Sequence, residues 1–340
     1  MTDEPKPADA KPKIDPAQTR LAKEYKYTSP LLAGRFDPTG KYLFVTAQDF
    51  TIQRIELEGG KLTPLAGHDS WVRALAFHPR EPLLVSGGYD GKVIYWPADG
   101  DAPKPARTIE AHDGWVRAVA VSPDGATVAS CGNDGLVKLW STTDGSPTAT
   151  FKGHDCHVYN LAFHPGGKSL VSADLKGVVK EWDLAKGTVA REFDAKPLYK
   201  YDPSFRADIG GIRAISFSGD GHLLACGGIT DVSNAFAGVG KPAVVIVDWA
   251  NGKSKPLVRP KEEFQGVVWG LAFHPDGFLI GAGAGSGSAM WFWNPDQDRS
   301  FFTFKLPNNA RDLALHPDGT RVAVPCFDNV VRVFDLTAKA

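Results

Sequence analysis

His154, Asp155, Cys156 and His157 stand in a row, and their imidazole, carboxylate and thiol groups are donors used by zinc and other transition metals. Donor type alone does not give a ligand geometry, and no metal is assigned to them. Four other histidines, His78, His164, His274 and His316, each follow Phe or Leu and precede Pro. They read as turn residues spread far apart, not as one catalytic set. The run Gly281-Ala282-Gly283-Ala284-Gly285-Ser286-Gly287 has the composition of a phosphate-binding loop. It lacks a following Lys, and Met290 to Trp293 reads as a strand, so no helix N-terminus is offered to a phosphate. It is expected to be a flexible loop. No Gly-x-Ser-x-Gly elbow or His-Glu-x-x-His pair occurs, and no catalytic residue or cofactor is expected.

The elements that must position any site come from a chain of 340 residues, 43% apolar and 11% aromatic. Charge is balanced, with 38 Lys and Arg against 39 Asp and Glu. Non-specific nucleic-acid binding needs a basic excess and is not expected. Cys131, Cys156, Cys226 and Cys326 are far apart, with no Cys-x-x-Cys pair, which fits a reducing compartment and a cytoplasmic protein. No apolar run reaches the roughly 18 residues of a membrane helix. Residues 1–20, rich in Pro, Ala, Lys and Asp, read as a disordered tail without a signal-peptide core. Residues 21–340 read as one domain, expected to be monomeric alone.

That domain is repetitive. A turn signal recurs at Phe36-Asp37-Pro38, Phe77-His78-Pro79, Val121-Ser122-Pro123, Phe163-His164-Pro165, Phe217-Ser218-Gly219, Phe273-His274-Pro275 and Leu315-His316-Pro317. Its interval lies in the low forties and widens to the mid-fifties on either side of Phe217. Each unit reads as an apolar strand, a tight turn, a second strand, another turn and a third strand ending on an aromatic, then a more polar fourth strand. The aromatic is Trp96, Trp140, Trp182, Trp293 or Phe334. Three turns are literal Pro-Asp-Gly, in which Pro presets φ and Gly supplies φ > 0. A forty-residue period of short strands predicts an all-β propeller with seven four-stranded antiparallel blades. Leu21 to Ser29 would supply the missing fourth strand of the last blade and close the ring.

The middle units carry a more specific pattern. Gly67-His68, Ser86, Asp90 and Trp96 resemble the Gly-His, Ser, Asp, Trp signature of WD40 repeats. Ala111-His112, Ser130, Asp134 and Trp140 are similar again, and Gly153-His154, Ser172 and Trp182-Asp183 match in part. The resemblance implies that His, Ser, Asp and Trp form a buried hydrogen-bonded chain that locks each blade, because an Asp inside a blade must be paired. It also gives His154 a structural place rather than a metal. Lys176 stands where blade four should carry its Asp, so that chain is expected to be interrupted. Ile55 and Val247 replace Trp in blades one and five, which must hold by packing alone.

Departures from the period point to a site. About eleven residues are inserted within blade five, around Ile229 to Pro242, and a second insertion, Ala195 to Asp208, precedes it. Strand alternation sends both to one face, the top. Long loops on a rigid scaffold commonly carry function. In WD40 propellers the residue four before the Phe-type position faces the top of the central channel. Here these residues are Leu32, Arg73, Arg117, Tyr159, Arg213, Trp269 and Arg311, with Trp71 and Trp115 just outside. Four converging guanidinium groups repel one another unless anions intervene, either from a ligand or from Asp69, Asp113 and Asp312. Arg suits carboxylate or phosphate recognition, and Arg with aromatics suits protein partners. The expected function is a non-catalytic platform that binds a protein partner at the top face, through an acidic or C-terminal peptide segment or another anionic group. The alternative is a small-ligand sensor or propeller enzyme using the same pocket.

Overall fold

The computed structural model describes residues 12–234, 239–255 and 257–339. Alternation of buried and exposed residues, broken by glycine turns, folds the chain into seven antiparallel blades around a central axis. Blade two is typical: Val72–Phe77, Leu83–Gly88, Lys92–Pro97 and Arg107–Glu110 hydrogen-bond in sequence order. Blades one, three, four and six follow the same order. The core lies between blades and is filled by side chains such as Trp96, Trp182, Trp291 and Trp293, all fully buried. Truncating such a side chain typically costs about 3–5 kcal/mol. Ile55 and Val247 are likewise buried in apolar clusters where the other blades carry their aromatic.

The ring closes through the start of the chain. Arg20–Lys26 pairs antiparallel with Val330–Asp335 as the outer strand of blade seven. Arg20 Nη2 reaches Asp335 at 2.6 Å, and the buried Arg332 donates to Glu24 at 2.8 Å and to Asp328 at 2.7 Å. The expected tail boundary at residue 20 needs correction. The Asp15 N–H donates to Leu336 O at 2.9 Å, Ile14 bridges Thr337, and Pro16–Gln18 forms a 3-10 turn capped by Asp15. The ordered chain therefore begins before Arg20; residues 1–11 lie outside the described residues.

Neighbouring blades are also stapled beneath by the turn histidines. The ring Nε2–H of His164, His274 and His316 donates to the turn carbonyl of the next blade, at Gly221 (3.1 Å), Gly319 (2.7 Å) and Gly40 (2.9 Å). In His164 and His274 the opposite nitrogen accepts a backbone N–H of the histidine's own turn at 3.0 Å.

One expectation about local structure is overturned, and one blade is a variant of the pattern. The glycine run is not a flexible loop: Leu279–Gly285 is a strand paired on both sides, and only Ser286 and Gly287 turn. A Cβ on Gly281 would stand 2.6 Å from the Trp293 ring, and one on Gly283 2.8 Å from the Trp291 ring. The glycines make room for two tryptophan faces. Blade five, in turn, hydrogen-bonds as three strands, Ile212–Phe217, Leu223–Asn234 and Val239–Asp248. Its fourth is reduced to bridges at Val244–Val258 and Val247–Ser254. Both insertions are hairpins. The one before blade five pairs Tyr199–Asp202 with Ala207–Gly210, and the other prolongs the second and third strands of blade five, with residues 235–238 outside the described set.

Candidate functional site

The blade-locking chains set the frame. In blade two, His68 Nδ1 lies 2.9 Å from Asp90, His68 Nε2 2.8 Å from Ser86 Oγ, and Trp96 Nε1 2.8 Å from the same oxygen. Indole N–H can only donate, so the protons run one way: Trp96 to Ser86, Ser86 to His68, His68 to Asp90. Blade three repeats this with His112, Asp134, Ser130 and Trp140. Burial opposes the charged form of Asp90 and Asp134. The hydrogen bond from the paired histidine, with backbone N–H donors, outweighs it and holds both pKa values below the ordinary carboxylate range.

Blade four corrects the expected interruption. His154 Nδ1 lies 2.9 Å from Asp174, its Nε2 2.7 Å from Ser172, and Trp182 Nε1 2.7 Å from Ser172. Asp174 occupies the strand position held by Gly88 and Gly132 in blades two and three, as the matched pairing of Val158, Val72 and Val116 shows. A Cβ on Gly88 would point straight at His68 Nδ1, 2.4 Å away. The carboxylate thus reaches the same imidazole from a different root. Both nitrogens of His154 are engaged in this chain. Among the described residues, no group of three or more His, Cys, Asp or Glu side chains is placed to hold a metal. Nor, among them, is any helix long and apolar enough to cross a membrane.

The first strands of the blades deliver their side chains to the top of the channel. Arg73, Arg117, Tyr159, Arg213, Trp269 and Arg311 line one cavity of about 270 Å³, with Trp71 at its edge. Trp269 lies across it. The guanidinium carbons of Arg311, Arg213 and Arg73 stand 5.4, 5.7 and 5.8 Å from its ring centroids. Tyr159 is held between Arg117 at 4.4 Å and Arg213 at 4.5 Å. Trp115 is outside the cavity lining but 4.6 Å from Arg117. Cation and aromatic ring therefore alternate around the site, and each ring face partly offsets the charge beside it.

The four guanidinium groups have no carboxylate partner among the described residues. Arg73 donates to Leu32 O at 3.0 Å, and Arg117 to Asn133 Oδ1 at 2.7 Å and to the Tyr89 hydroxyl at 3.3 Å. Arg311 Nε is buried without a hydrogen-bond partner. Burial, and then the charge of Arg73, push the Arg311 pKa below its ordinary value. Two of the aspartates that the sequence offers as neutralisers are bound elsewhere. Asp312 enters the cavity wall but pairs with Arg35 at 2.6 Å and accepts from Gly34 N–H, and Asp69 pairs with Lys92. Asp113 is exposed and in no ion pair among the described residues. Sequence reasoning missed Tyr89, which stacks on Trp115 with ring centroids 4.1 Å apart and planes 2° from parallel. The signal was its place in the turn just before Asp90.

Comparison with known proteins agrees with this architecture. The family model for the WD domain, G-beta repeat, matches residues 59–97, 103–141 and 145–183, which run from the outer strand of blade one to the third strand of blade four. The nuclear distribution protein PAC1 of Arthroderma otae is 37% identical over 76 residues, 21% of this chain and 16% of that protein. The nuclear distribution protein nudF 1 of Talaromyces marneffei is 35% identical over 82 residues, 23% of this chain and 18% of that protein. Nuclear distribution protein nudF 2 of Aspergillus clavatus is 34% identical over 76 residues, again covering 18% of that protein. The chain spans less than a fifth of the length of these relatives. The chain is a seven-bladed β-propeller that carries three WD40 repeats within residues 59–183.

Proposed function

We propose that this propeller is a non-catalytic interaction platform whose top face binds an acidic segment of a protein partner. The observation that carries this reading is the set of four guanidinium groups around one cavity, none with a carboxylate partner among the described residues. Like charges held together in a partly desolvated site are relieved by a bound anion. Arg311, with an unpaired buried Nε, gains most. Planar guanidinium groups pair with carboxylates through charge-assisted hydrogen bonds, and the interleaved rings hold them in place before the ligand arrives. Tyr159 and Trp269 add the apolar contact that buried protein-binding sites favour. The WD40 architecture supports a protein as the partner.

The test is fluorescence anisotropy with a labelled glutamate-rich peptide and its glutamine counterpart. The acidic peptide binds and weakens as salt rises from about 0.05 to 0.5 M, where screening shortens. Replacing Arg117 and Arg213 together by Ala weakens it at least tenfold, as expected for charge-assisted bonds worth about 1.5 kcal/mol or more each. Trp269→Ala also weakens it. Equal binding of the glutamine peptide, or no loss in the double variant, would sink the proposal.

A further inference from the structure

Hairpins flank the site on one side, and exposed aromatic rings stand on another. Over blades four to six the two inserted hairpins rise. The second strand of blade five runs through twelve residues where those of blades two, three and four have six. At about 3.3 Å per residue the extra length is roughly 20 Å. Val232 on that extension packs with Ile209 of the other hairpin, with Val267 and with Trp269. Lys200 Nζ ties the two hairpins together through Val232 O at 2.8 Å. Over blades two and three the corresponding turns are short. There Trp71, Tyr89 and Trp115 follow one another as a ledge, Trp71 to Tyr89 at 6.2 Å and Tyr89 to Trp115 at 4.1 Å. Trp71 and Trp115 are 40% and 42% exposed, high for rings of this size.

Arg117 joins the ledge to the cavity, since its guanidinium touches Trp115 on one side and Tyr159 on the other. Resting on the platform reading above, we infer that the ligand is bipartite and enters in one direction. An acidic side chain sits among Arg117, Arg213 and Arg311. An aromatic side chain one to three residues away lies on the ledge of Trp71, Tyr89 and Trp115. The peptide leaves over blades two and three, on the side away from the hairpins. Charge complementarity fixes the first half of the ligand, and the exposed indoles beside it fix the second. Aromatic contacts of this kind add to what area burial alone gives.

Three hexapeptides test this by anisotropy against the full chain: two glutamates with a phenylalanine two residues away, the same with alanine for phenylalanine, and the phenylalanine peptide with glutamines. The first binds at least fivefold tighter than the second. That advantage, taken as the ratio of the two affinities within each protein, disappears in Trp71→Ala/Trp115→Ala. In Arg117→Ala/Arg213→Ala all acidic peptides weaken. If the ring gives no advantage, or the advantage survives loss of both tryptophans, the bipartite ligand is overturned while the platform reading stands. If the arginine variant changes nothing, the platform reading itself falls. A single-stranded oligothymidine that binds more tightly than the peptide, and loses its binding in the tryptophan variant, overturns the assignment by giving the ledge to stacked bases.

Discussion

Asp174 meets His154 Nδ1 at 2.9 Å, the separation seen between Asp90 and His68, although it leaves the chain two residues earlier than its counterpart. The imidazole is the fixed point of the blade, and the carboxylate has two routes to it.

It follows that blade four depends on its polar chain as much as blade three does. His154→Ala and His112→Ala each cost about 1–3 kcal/mol, because each leaves a buried Asp and Ser without their partner. Urea midpoints of the two variants should agree closely. A much milder His154 variant would mean that the Asp174 contact contributes nothing.

The closing strand sets a second expectation. A chain begun at Leu21 loses the Asp15 backbone bond and the Arg20 contacts with Asp335 and Thr337, and its stability falls by about 1–2 kcal/mol. A chain begun at Tyr27 also exposes Val330–Asp335 as an unpaired edge and aggregates. Light scattering during thermal unfolding separates the two. Indistinguishable behaviour would remove the role given to the strand.

Acid stability carries the mark of Asp90 and Asp134. Their folded pKa values lie below the ordinary 3.8, so the folded protein binds fewer protons than the unfolded chain once pH approaches that range. Their stabilisation is complete above this value and is lost as pH falls through the folded pKa values. Asp134→Asn should be less stable near neutrality, with a shallower decline in denaturation midpoint below about pH 4. An unchanged acid slope would exclude Asp134 as a contributor.

Gly281 is a packing residue. Gly281→Val drives a side chain into the Trp293 ring and costs about 1–3 kcal/mol of overpacking. Calorimetry would show a melting point lowered by several degrees. A substitution in a flexible loop would leave it unchanged.

Legibility in the sequence follows the strength of the local signal. The Phe-His-Pro and Pro-Asp-Gly turns fix where strands begin, and the blade count follows from them. Counted from the same turns, the channel-facing position that the WD40 resemblance implies falls on the arginines. Asp174 escapes a count by repeat position, because a buried imidazole selects a carboxylate by reach. Its signal is a charged residue where the other blades keep glycine. Gly281 and Gly283 mislead because glycine marks loops as well as strands that approach large rings. Trp291 and Trp293, two apart on the facing strand, are the clue to the second meaning. Which aspartate pairs with which cation is a tertiary matter, and nothing local tells that Asp312 turns to Arg35.

The pairing of Arg20–Lys26 with Val330–Asp335 also sets a clock on the ribosome. The partner of the first segment is made some three hundred residues after it. At about 5–20 residues per second that is a delay of roughly 15–60 s. Throughout this interval the early blades can fold and stack, while a strand with unsatisfied backbone groups hangs from them without a mate. The nascent chain must shield that strand, by a chaperone or by transient pairing, until the last blade is made. Ring closure therefore waits for the last blade, and a stall before Val330–Asp335 is made would release an open arc with two adhesive ends.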